Sequence, residues 1–116
     1  MTEPNRIPDR IFQHVAGADG TAFVSAVTIW EIAIKYRLGR RDTPFSSHEA
    51  IGHFQSAGFS LLDVTAAHAA FVERLPLLHG DPFDRLMIAQ AIFENMQLVT
   101  YDRHLSRYGV AMLTWS

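Results

Sequence analysis

Apolar positions along this chain follow two alternating rhythms. Short runs rich in β-branched and aromatic residues, "AFVSAV", "FSLLDV", "QLVTY" and "VAMLTW", read as strands. Between them lie longer segments whose apolar residues recur at helical spacing. Ile7, Ile11 and Val15 predict a helix over 7–16, with Pro8 suited to its first turn, and "ADGT" is a turn. A strand from Ala22 to about Ser25 feeds directly into the helical "TIWEIAIKYRLG", which Gly39 is placed to stop. "SSHEAIGHFQSAG" offers a serine cap and a helix ending near Gly58, and "TAAHAAFVERL" a helix capped by Thr65 and halted by Pro76. "DPFDRLMIAQAIFENM" is a long helix, and "DRHLSRYG" a short one before the last strand. Strands alternating with helices predict an α/β fold whose parallel sheet is covered on both faces.

Composition narrows the picture. A chain of 116 residues with 48% hydrophobic content suits one domain with one core. No apolar run is long enough to span a bilayer, and "MTEPNRIPDR" has no apolar signal segment, so no membrane association is expected. The absence of cysteine excludes disulfides and thiol catalysis and fits a cytoplasmic setting. A formal net charge of −2 gives no general basic field, so any contact with nucleic acid must be local and helped by a metal ion.

Three carboxylates change the reading from scaffold to site. In "HGDPFDRLMIAQA", Asp81 reads as an N-cap and Pro82 as the first helical residue. Asp84, at the third helical position, would also suit a capping role, reinforced by the helix dipole. Yet Met87, Ile88 and Ala91 share its helix face, and a carboxylate beside a core needs a partner, a hydrogen bond or a metal. Glu31 sits inside "IWEIAI", just after a strand; it either reaches solvent, pairs with Lys35 at i+4, or borders a site. Asp102 ends "LVTY" and opens a helix, which would equally suit an N-cap. All three fall where an open parallel sheet presents the carboxyl ends of its strands, the edge at which such folds bind ligands. Converging carboxylates repel unless a cation neutralises them, and an all-oxygen donor set suits Mg²⁺ or Mn²⁺. Such an ion promotes attack of water on a phosphodiester.

The blocks "FVSAVTIWEIAIKYRLG", "DPFDRLMIAQA" and "LVTYDRHLSRYGV" resemble, in order and spacing, a PIN-domain protein of the VapC type from bacterial toxin–antitoxin systems. The resemblance runs from about Glu3 to Trp115. It implies a PIN-like three-layer α/β/α fold over residues 1–116, Mg²⁺ or Mn²⁺ dependence, endoribonuclease activity on RNA, and an antitoxin that blocks the acidic pocket. In that pattern Glu31, Asp84 and Asp102 match the family's acids as metal-holding catalytic residues, while Asp81 is a supporting acid. The family pattern opens with an apolar strand ending in aspartate. "MTEPNRIPDR" offers no such strand, and Asp9 is a poor substitute. The resemblance therefore predicts a sheet without its first, central strand, closed by an exchanged element, a partner strand or a sliding together of the rest. It leaves open a second function, a catalytically impaired PIN-like module that binds an antitoxin or self-associates as a homodimer.

Other chemistry is thin. The six histidines include no HExxH, and nucleophile-elbow and phosphate-loop motifs are absent. A receiver-like phosphoacceptor would need a late lysine, and the last is Lys35. Arg37, Arg40 and Arg41 cluster at a turn, as a solvated surface or as a steering patch for RNA or an acidic partner segment. Arg85 and Arg103 could pair with the acids or contact phosphate. Trp30 and Tyr36 are expected in the core or at a dimer interface.

Overall fold

The computed structural model describes residues 22–78, 80–99, 107–109 and 112–113. The expected helix over 7–16 and most of "DRHLSRYG" lie outside them. The described residues fall into two compact units, one ending at Val64 and the other beginning at Thr65.

The first unit begins with β1 (Phe23–Ser25), whose last residue turns the chain into helix α1 (Ala26–Arg37). The Ser25 hydroxyl accepts the Val27 N–H at 3.0 Å, so the helix starts two residues earlier than the hydrophobic pattern alone would place it. Its far end is a Schellman turn. Gly39 adopts φ +71°, the Arg40 N–H reaches the Lys35 carbonyl at 3.1 Å, and the Gly39 N–H reaches Tyr36 at 3.0 Å. Helix α2 (Ser47–Ser56) opens with a complete capping box: Ser46 accepts the Glu49 N–H and the Glu49 carboxylate accepts the Ser46 N–H, each at 3.2 Å. A second Schellman turn at Gly58 leads to β2 (Ser60–Leu62). That strand pairs parallel with β1, Val24 opposite Leu61, and the Ser60 N–H extends the ladder to the Ala22 carbonyl. Val24, Val27 and Ala50 are the buried centre of the unit.

The capping box carries a pH signature. Hydrogen bonds from the Ser46 backbone and hydroxyl hold the Glu49 carboxyl below the usual glutamate range. Because the folded value is the lower one, the stabilisation is full above the unfolded value and is lost as pH falls through the folded one. Protection of the first-turn amides of α2, taken relative to their intrinsic exchange rates, should therefore fall as pH drops through the folded Glu49 titration, and Glu49→Gln should remove most of that dependence. A first turn with no pH response in the native chain would rule the box out as a stabilising element.

In the second unit Thr65 caps α3 (Ala66–Phe71), which tightens into a 3₁₀ turn, Val72–Arg74, before Pro76. Helix α4 (Pro82–Phe93) follows, and it ends on Asn95 at φ 56°, with the Met96 N–H closing onto the Ala91 carbonyl. Strands β3 (Leu98–Val99) and β4 (Met112–Leu113) pair parallel. Leu75, Ile88 and Ala89 form the core, with Phe71, Val72, Ile92, Leu98 and Tyr108 packed on it. Burying side chains such as Ile88 supplies about 1.5–3 kcal/mol each.

The α/β class and the parallel strands match the expectation. Among the described residues the four strands form two separate parallel pairs, one in each unit. No described helix is long and apolar enough to cross a membrane. Trp30 and Tyr36 are not core residues: they are 57% and 47% exposed, and Trp30, Ile34 and Leu38 form an outward apolar stripe at i, i+4 and i+8.

Candidate functional site

Asp81 is an N-cap. Its Oδ1 accepts the Phe83 N–H at 2.8 Å and the Asp84 N–H at 3.3 Å, and Pro82 occupies the first turn, where its missing N–H costs nothing. With the cap supplied, Asp84 is not required to close the helix. It is half-buried, and of the residues sharing its face Met87 is half-buried, Ala91 buried and Ile88 fully buried. The carboxylate therefore stands where an apolar helix face meets its own N-terminus, a position favourable to negative charge.

Glu31 occupies the second turn of α1. Its Oε2 lies 3.6 Å from the Lys35 ammonium, and the two side chains are 32% and 29% exposed. At that distance and exposure the pair contributes no more than about 0.5 kcal/mol, which leaves the carboxylate free to exchange partners. Glu31 belongs to the first unit and Asp84 to the second. Asp102 and Arg103 lie outside the described residues, so the expected meeting of the three acids is not a feature of the described structure. Among those residues no group of three or more histidines and carboxylates that could hold a metal ion occurs.

Of the basic residues, Arg40 is held by Asp42 at 3.3 Å, and Arg37 and Arg41 are exposed. Arg85 is committed to its own unit. Its guanidinium donates to the carbonyls of Pro76 (2.9 Å), Val72 (3.3 Å) and Leu75 (3.4 Å) and to the Tyr108 hydroxyl (3.3 Å).

Sequence reasoning missed a second polar group. His68, fully buried, takes the place of the glutamate in a capping box with Thr65. Its Nδ1 accepts the Thr65 N–H at 3.1 Å, so Nε2 carries the hydrogen and donates to Glu94 at 2.6 Å. Gln90, also buried, donates to the same Nδ1 at 3.4 Å. The one local signal was "TAAH", a threonine followed three residues later by a side chain able to bond back.

The family model described as PIN domain matches residues 3–111. Two solved structures are similar in fold. VapBC2 from Rickettsia felis, bound to a DNA fragment from their promoter, superposes with TM-score 0.73 at 19% identity, covering 94% of this chain and 87% of that one. DNA-bound VapBC from Salmonella typhimurium superposes with TM-score 0.70 at 18% identity, covering 94% and 86%. No curated protein matches the chain.

Proposed function

The chain belongs to the PIN-domain family, and from that premise we propose that it is a metal-dependent endoribonuclease of the VapC toxin type. Glu31, Asp84 and Asp102 are the metal-holding catalytic residues. RNA is the substrate, the setting is the cytoplasm, and an antitoxin protein covers the acidic pocket. One observation carries the reading. The Asp81 side chain accepts the Phe83 and Asp84 N–H groups, and the half-buried Asp84 sets a second carboxylate at the same helix start, on the face it shares with the buried Ile88 and Ala91.

The residues fit a hard divalent ion. All three are oxygen donors, and Glu31 is held only loosely by Lys35. An Mg²⁺ or Mn²⁺ ion so held supplies charge stabilisation at the phosphodiester and activation of water. The chain's own part is to present the donors. Asp81 fixes the first turn of α4 and with it Asp84, β1 and the Ser25 cap set the start of the helix that carries Glu31, and Lys35 offers a cation close to that acid. The fold shared with VapBC structures supports a protein partner for this chain.

A second reading, an impaired module that binds an antitoxin or itself, is favoured by the exposed stripe Trp30, Ile34 and Leu38, apolar surface suited to a homodimer. RNA cleavage with Mg²⁺ and Mn²⁺ separates the two. The chain should cleave RNA only when Mg²⁺ or Mn²⁺ is present, and Glu31→Gln should slow that cleavage by at least about tenfold, because a fixed ion geometry needs its anionic ligands. Cleavage unchanged by Glu31→Gln would show that this acid is not a ligand. No cleavage with either metal, with partner binding intact, would favour the impaired module.

A further inference from the structure

We propose that Arg85 is a positioning residue for Asp84: its guanidinium closes the loop that delivers Asp81 and Asp84 and ties it to the Arg107–Tyr108 turn. The inference rests on the metal-dependent reading above.

Leu75 anchors the start of the loop between the 3₁₀ turn and α4 in the core, but the described residues beyond it have little burial. Leu77 is 91% exposed and Leu78 37%, and a Cβ added at Gly80 would meet open space. Packing therefore does little to fix the path after Leu75. Polar contacts at the two ends of the loop fix it. On the near side the carbonyls of Val72, Leu75 and Pro76 converge, and the Pro76 oxygen also accepts the Leu78 N–H at 3.0 Å. On the far side Asp81 caps α4, and one turn later Arg85 reaches back across the loop to all three carbonyls. A guanidinium is suited to this because its planar fork can serve several acceptors at once, whereas an ammonium is a single point donor.

The fourth contact extends the tie beyond the loop. Tyr108, whose hydroxyl accepts from Arg85 at 3.3 Å, packs on the core of this unit. One side chain thus joins the first turns of the helix that carries Asp84 to the Arg107–Tyr108 turn. Divalent-ion ligation tolerates only small errors in donor position, so a device that fixes the segment bearing Asp84 acts on metal affinity. A residue that only ended the 3₁₀ turn would act on stability alone.

The test is Mn²⁺ titration of the full chain followed by calorimetry, with thermal melts in parallel and binding measured where each protein is folded. The proteins are the native chain, Arg85→Lys, Tyr108→Phe and, as the reference without a site, Asp84→Ala. Folded Arg85→Lys should bind Mn²⁺ about tenfold more weakly, the range seen when residues supporting metal ligands are changed, and Tyr108→Phe a few fold more weakly. Native affinity in folded Arg85→Lys, with only the melting temperature lowered, would overturn the positioning role and leave the metal site standing. If Arg85→Lys does not fold, Tyr108→Phe decides, and an unchanged affinity there overturns the role. A native chain that binds no Mn²⁺ would overturn the metal reading, and the positioning role with it.

Discussion

Asp84→Ala is expected to weaken Mn²⁺ binding and RNA cleavage by on the order of a hundredfold or more, while Asp81→Ala leaves metal affinity within a few fold and instead costs about 0.5–2 kcal/mol of stability. The division follows from what each carboxylate touches. Asp81 accepts two backbone N–H groups at the start of α4, so alanine there strands two donors. Asp84 shares its face with Ile88 and Ala91, and the loss of a direct ligand should cost at least as much as the loss of a supporting residue. Its effect on stability should be small, because two terms oppose. Removing a negative charge from the helix start costs about 0.3–1 kcal/mol, and relief of repulsion from neighbouring acids returns a similar amount. Metal titration and thermal melts of both variants check this. Equal loss of metal affinity in the two would show that Asp81 is a ligand and that the division of roles is wrong.

The helix ends were legible because the chemistry that sets them is local. Ser46, Thr65 and Asp81 each accept a backbone N–H two or three residues on, and Gly39 and Gly58 take the positive φ that a Schellman turn requires. Ser25 caps α1 in the same way but reads in the sequence as the end of a strand. Asn95 performs the same task at the end of α4 without standing out, since asparagine is common in many other settings. Strand identity was legible too, but strand pairing was not. Runs of two or three residues carry no register information, and what joins β1 to β2 is a parallel crossover through two helices.

The candidate site was legible in part for the same reason. Asp81 and the Glu31–Lys35 pair involve neighbours on one helix, so spacing revealed them. The role of Arg85 was not fixed, because its acceptors lie 9 to 23 residues away and only the folded path brings them to one guanidinium. Trp30 and Tyr36 show the limit of residue type as a guide. Both are large and apolar enough for a core, and both stand outside it.

His68 gives the largest expected effect on stability. His68→Ala should cost about 2–4 kcal/mol, from the space left at a fully buried side chain and from the polar groups it abandons. The Thr65 N–H loses its acceptor, Gln90 loses a buried one, and Glu94 loses its donor. The last loss is modest, because the Glu94 side chain is 35% exposed and water can replace the histidine; Glu94→Gln should cost under about 1 kcal/mol. Two further variants separate the roles. Glutamine is a natural third-position partner in a capping box but is too short to reach both Thr65 and Glu94, so His68→Gln should recover about 1 kcal/mol of the alanine loss. Thr65→Ala alone should cost about 1 kcal/mol, and combined with His68→Ala it should cost clearly less than the sum, since each removal already breaks the same reciprocal pair. Denaturant melts of the four single variants and the double variant give these differences. Costs that add to within about 0.5 kcal/mol, together with no recovery in His68→Gln, would show that His68 only fills space and that α3 is held to α4 by packing alone.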